Sequence, residues 1–139
     1  MAKTVLTDVS VEIDGTAVAD HCSAVAMEDS AEEVDVTGFG GNGYREFMQG
    51  LKDATITLTL FQDFASGSIH SVLKDLYESG DAVELVLKPT SAPVSEENPE
   101  AHMTARLFSY SGINGSVGEA STIEATFRNA GDGITWVTT

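Results

Sequence analysis

Apolar and polar residues alternate along most of the chain. Val9, Val11 and Ile13 alternate with Ser10, Glu12 and Asp14 until Gly15 ends the run. Val25 and Met27 alternate with Ala24, Ala26 and Glu28, and Val34 and Val36 alternate with Glu33, Asp35 and Thr37. A period of two places one row on each face of a sheet, so each run predicts a half-buried strand. The strongest is Ala54 to Phe61, where Ile56, Leu58 and Leu60 take one face and Thr55, Thr57 and Thr59 the other. Threonine is β-branched and favours extended backbone, so the polar row supports the strand as well. Further strands are predicted at Ala82 to Lys88, which stops at Pro89, and at Ala101 to Tyr110, Ser121 to Arg128 and Ile134 to Thr138. Between them Thr90 to Glu100, Gly112 to Gly118 and Asn129 to Gly133 have the composition of loops and turns.

One segment changes period. Ile69, Val72, Leu73 and Leu76 fall on one helical face, with Ser68 as a candidate N-cap and Gly80 as the stop. The predicted helix, about Ser68 to Ser79, is too short to be stable alone and must lay its stripe on a sheet. The expected fold is mainly β, a β-sandwich or barrel-like domain with one short flanking α-helix. A chain of 139 residues suits a single domain over 1–139.

Charge narrows the function. There are 22 acidic residues against 7 Lys or Arg, a net charge of −15. Nucleic-acid binding draws on clustered Lys and Arg, which this chain lacks, and such a charge repels DNA and anionic lipid. It either keeps the protein soluble or lets DNA pass close by without sticking. Cys22 is the single cysteine, so no intrachain disulfide is possible. The first residues show no apolar signal segment, and no apolar run is long enough to span a bilayer. Synthesis in a reducing cytoplasm, without membrane insertion, is the expectation.

The stretch Gly38 to Gly50 stands apart. Five glycines interleave with Phe39, Tyr44, Phe47 and Met48, which predicts a long loop whose aromatic residues bury in a partner or fold back on the domain. Gly38 to Gly43 matches G-x-G-x-x-G in letters, but no helix follows whose N-terminus would hold a pyrophosphate. His21, His70 and His102 have no metal-ligand spacing, and no nucleophile elbow is present, so neither metal nor cofactor is expected. Cys22 with a histidine assembled in space would be the one route to a small hydrolase. Glu28, Asp29, Glu32, Glu33 and Asp35 crowd one stretch, read as a solvated acidic hairpin or as a face lining something negatively charged.

Taken in order, these elements resemble a known family. Glu33-Val34-Asp35-Val36-Thr37, Phe39-Gly40, Tyr44-Arg45-Glu46-Phe47 and Gly50-Leu51-Lys52-Asp53-Ala54 lead into the threonine strand. Phe61-Gln62-Asp63, the short helix, the strand ending at Pro89, Asn98-Pro99 and Gly115-Ser116-Val117-Gly118-Glu119 follow. From about Val9 to Val137 this series resembles the major tail tube proteins of long-tailed, non-contractile bacteriophages. The resemblance implies a non-enzymatic virion protein, made in the host bacterial cytoplasm, that forms hexameric rings stacked into a hollow tube. Its implied partners are other copies of itself, a tape-measure protein and tail-end proteins, with double-stranded DNA passing without specific binding. It implies that Phe39, Tyr44, Arg45, Phe47 and Met48 make contacts between rings, and that 1–8 and 129–139 are terminal arms. Trp136 then packs on a neighbour or belongs to the core of the last strand. Glu33, Asp35 and Glu124 are the candidates for an acidic bore. The competing readings are another tail or head accessory protein of the virion and a non-catalytic ligand- or carbohydrate-binding β-sandwich module. The hydrolase reading requires Cys22.

Overall fold

The computed structural model describes residues 3–139. Eight strands and one α-helix follow one another: β1 (Ser10–Ile13), β2 (Thr16–Ala17), β3 (Cys22–Asp35), β4 (Phe47–Phe61), α1 (Ile69–Ser79), β5 (Val83–Lys88), β6 (Glu100–Tyr110), β7 (Thr122–Asn129) and β8 (Thr135–Val137). They form one antiparallel sheet in the order β2-β1-β5-β6-β7-β4-β3, with β8 added to β6. The sheet wraps a single core, which is the barrel-like form of the expected mainly β fold.

The alternating rows explain the core. Val11 and Ile13, Leu85 and Leu87, Met103 and Leu107, Ile123 and Phe127, and Ile56, Leu58 and Leu60 all point inward and are buried. Each such side chain contributes about 1.5–3 kcal/mol by leaving water. Helix α1 closes the core with Ile69 and Leu73, packing mainly on β6. It ends as the sequence predicts: Gly80 adopts the left-handed region at φ 69° and its N–H bonds to the Leu76 carbonyl. Its start differs from the expectation. Ser68 occupies the N-cap position but makes no side-chain cap; its hydroxyl donates instead to Asp63 Oδ2 at 2.7 Å.

Two boundaries move. The runs around Val25 and Val34 are one 14-residue strand, β3. They look separate in sequence because their apolar positions are out of phase. A bulge between Ala31 and Glu33 absorbs the slip in its pairing with β4. The predicted loop 38–50 is also shorter. Phe47, Met48 and Gly50 belong to β4, a 15-residue strand, so the connection covers only 36–46. A long ladder to β3 satisfies their backbone groups and overrides the glycine signal.

Candidate functional site

The β3–β4 hairpin has two halves. Its proximal half, where Val25 pairs with Leu58 and Met27 with Ile56, lies on the core. Beyond Asp29 and Ala54 both strands leave the core, and Val34, Phe47, Met48 and Leu51 are exposed. A two-stranded ribbon with apolar side chains in water is marginal by itself. This arm carries the acidic stretch, which runs along one strand of it.

The tip is ordered by local hydrogen bonds. Val36 N–H donates to the Glu46 carbonyl at 2.9 Å, and Glu46 N–H donates to Thr37 Oγ1 at 2.8 Å. Asp35 Oδ1 accepts the Thr37 N–H at 2.9 Å, and hydrogen bonds from Thr37 hold its carboxyl below the usual aspartate range. Tyr44 N–H closes a turn on the Gly41 carbonyl at 3.1 Å, with Asn42 and Gly43 both at positive φ. The G-x-G-x-x-G letters thus build a tight turn that needs left-handed backbone, and no phosphate cradle. Phe39, Tyr44 and Arg45 stand exposed there around an open recess of about 390 Å³ that also touches Val36 and Glu46.

Strand register decides which side each acidic candidate takes. Glu124 on β7 faces Thr59 on β4, in a row with Thr57 and Thr55. Beyond the bulge Glu33 and Asp35 pair with Gln49 and Phe47. Along β3, which carries no extra residue there, Glu33 and Asp35 continue the row of Val25 and Met27, so they take the sheet face opposite to that of Glu124. The bulge sets Gly50 and Leu51 of β4 against Glu32 alone, and a Cβ on Gly50 would point at Glu32 and Val34, so the β4 residues change face there while β3 keeps its alternation. The face of Glu124 and the threonine row holds an ion pair of 2.6 Å between Arg128 and Asp53.

Residues 129–139 fold back on the chain: Asn129 ends β7, and β8 pairs Trp136 with Ala101 and Thr135 with His102. Trp136 is 53% exposed and lies outside the core. At the other end Val5 and Leu6 are exposed, and Asp8 accepts hydrogen bonds from the Ser91 hydroxyl and N–H. Met1 and Ala2, part of the expected arm 1–8, lie outside the described residues.

The histidines serve architecture. His21 stands in a short 3-10 turn between Asp20 at 3.1 Å and Asp63 at 3.2 Å. Asp20, then Asp63, raise its pKa against a smaller opposing effect of burial. Asp63 also takes the Ala65 N–H and the Ser68 hydroxyl, tying that turn to the start of α1. Burial raises the pKa of Cys22, and its thiol donates to the Ala24 carbonyl at 3.3 Å. No third group links Cys22 to a histidine among these contacts, so the pairing that the hydrolase reading requires is not assembled. His70 is part-buried beside Phe64, with Nδ1 2.7 Å from the Tyr110 hydroxyl. His102 bridges β5 and β6, facing Glu84 at 2.5 Å and Glu100. No cluster of His, Cys, Asp or Glu fit for a metal occurs among the described residues.

Three apolar residues escaped the sequence reading. Leu51 is 82% exposed on the arm, and Ile113 and Val117 are almost fully exposed on the β6–β7 loop. The signal for the last two was present: large aliphatic side chains inside a Gly-, Asn- and Ser-rich turn segment.

No protein-family model matches the chain, and no curated protein matches it. Solved structures do. A chain of the native gene transfer agent virion superposes with a TM-score of 0.74 at 18% identity, covering 94% of this chain and 95% of that one. A chain in the tail of the empty gene transfer agent particle, which has C6 symmetry, gives 0.71 at 18% identity over 93% of each. The SPP1 tail tube gives 0.70 at 14% identity, covering 95% of this chain and 78% of that one. The chain has the tail tube fold.

Proposed function

We propose that this protein is a tail tube subunit of a non-contractile phage-like tail. Copies form hexameric rings that stack into a hollow tube, and the genome passes through its bore. The observation that carries this reading is the fold shared with tail chains over nearly the whole length, together with an arm that leaves its own core. Exposed apolar residues on both faces of that ribbon call for a partner, and another copy is always at hand in a polymer. Phe39, Tyr44, Arg45, Phe47 and Met48 make contacts between rings. Glu124 from the sheet and Glu33 and Asp35 from the arm line the bore, where like charge keeps DNA from sticking. Tape-measure and tail-end proteins meet the tube inside and at its ends.

The test is negative-stain electron microscopy of the purified chain at moderate salt, which screens the −15 charge between subunits. Hollow tubes or rings support the reading. Deleting residues 40–47 should leave a folded monomer and no tubes; normal tubes from that deletion would remove the arm from assembly. Dispersed particles even with a co-expressed tape-measure protein would overturn the reading.

A further inference from the structure

The arm tip has a counterpart at the far end of the molecule. Strand β4 begins at the arm and ends at Phe61, which pairs with Thr122 at the start of β7. Its 15 residues put the two ends roughly 45 Å apart. The β6–β7 loop, 111–121, lies at the far end, because Tyr110 and Thr122 are its anchors.

That loop is built to present a knob. Glu119 N–H bonds to the Ser116 carbonyl at 3.1 Å, so Val117 and Gly118 occupy the corners of a turn, with Gly118 at φ 83°. Ser121 Oγ donates to the Asn114 carbonyl at 2.6 Å, and Asn114 Nδ2 donates to the Thr122 carbonyl at 2.8 Å, which pins the base. Turn corners usually carry small or polar residues. Here a rigid turn holds Val117 fully in water, with Ile113 exposed on the same loop and Glu119 exposed beside it. At the other pole the arm tip offers an open recess lined by Val36, Phe39 and Tyr44, with Arg45 on its edge. Neither Arg45 nor Glu119 has an ion-pair partner among the described residues.

We propose that the β6–β7 loop of one copy seats in the arm-tip recess of the next copy along the tube. Val117 and Ile113 enter beside Phe39 and Tyr44, and Arg45 faces Glu119. The two surfaces differ and sit at opposite poles, so the contact is head-to-tail and repeats without closing, as a growing tube requires. Opposite charge fixes the register, while the apolar knob supplies the burial. This proposal rests on the tail tube reading and adds the surface that receives the arm.

The experiment uses the full chain with Cys22→Ser, so that the native thiol cannot react. Phe39→Cys and Val117→Cys are introduced together, tubes are assembled at moderate salt and oxidised, and the products are separated under non-reducing denaturing conditions. Disulfides form only where the two backbones come within about 4.4–6.8 Å between Cα atoms. The expected result is a ladder of covalent oligomers, dimers from a mixture of the two single variants, and none from either variant alone. Tubes without a ladder, or dimers from Phe39→Cys alone, would overturn the proposal and leave the tail tube reading standing. If the cysteines block assembly, the charges decide. Arg45→Glu should slow tube growth about tenfold, and adding Glu119→Arg should restore it. Slowing without rescue overturns the receiving surface only, and no slowing also overturns it. A parent chain that never forms tubes removes the tail tube reading and this proposal together.

Discussion

The Val34 side chain leans over Gly50 on the arm: a Cβ added to Gly50 would stand 2.8 Å from Val34 Cγ2 and 3.4 Å from the Glu32 Cβ. Gly50 lies within the bulge, where it and Leu51 oppose Glu32 alone. Glycine is required for want of room, since its backbone is ordinary strand. Gly50→Ala should therefore push Val34 aside and alter the twist of the arm. The site lies outside the core, so thermal stability should change by less than about 1 kcal/mol. Tube assembly followed by light scattering should fall clearly. Wild-type assembly by this variant would show that the arm tolerates a shifted Val34.

Leu73 tests the other half of the molecule. It is the fully buried residue of α1 and closes the core over the sheet. Leu73→Ala should lower unfolding stability by about 2–5 kcal/mol in a urea titration. A loss below about 1 kcal/mol would mean that the helix is not part of the cooperative core.

Two imidazoles give the chain a pH dependence of known sign. At His102, burial opposes the charge, but the hydrogen bonds and charges of Glu84 and Glu100 outweigh it and raise the pKa. His21 is raised by Asp20 and Asp63. Both folded values lie above the ordinary value of 6.5, so the folded state holds these protons more tightly than the unfolded chain. The stabilisation is complete below that value and is lost as pH rises through the raised pKa values. The midpoint of thermal unfolding should drift down as pH rises above 6.5, and His21→Gln with His102→Gln should flatten that drift. The effect is modest, since water reaches both rings. An upward drift would contradict the two carboxylate clamps.

Reversing charge on the arm separates assembly from passage. Glu33→Lys with Asp35→Lys should leave tubes intact under the microscope while slowing genome ejection from reconstituted particles. Unchanged ejection would take both residues off the bore. Raised salt should speed assembly of the parent chain, because it screens mutual repulsion between subunits.

Strand and helix periods were legible because they are local. The alternation of Ile56, Leu58 and Leu60 with threonines, and the stripe from Ile69 to Leu76 ended by Gly80, each sit within a few residues. Ser68 shows the limit of such reasoning. Its sequence context suits a cap, yet Asp63, brought close by the β4–α1 turn, takes its hydroxyl. Phe47 and Met48 looked like loop residues because glycines surround them, while the ladder that makes them strand comes from β3.

The sequence by itself determined the mainly β character, the one helix, the acidic balance and an unusual glycine-aromatic segment, since each depends on neighbours along the chain. The tertiary structure decided the rest. It joined two out-of-phase runs into β3 beside a bulge in β4 and set Glu33 and Asp35 on the sheet face opposite to that of Glu124. It folded Trp136 back along β6 and placed Val117 and Phe39 at opposite poles. Those relations depend on strand register and on backbone hydrogen bonds between distant segments, whose donors and acceptors are the same in every residue but proline.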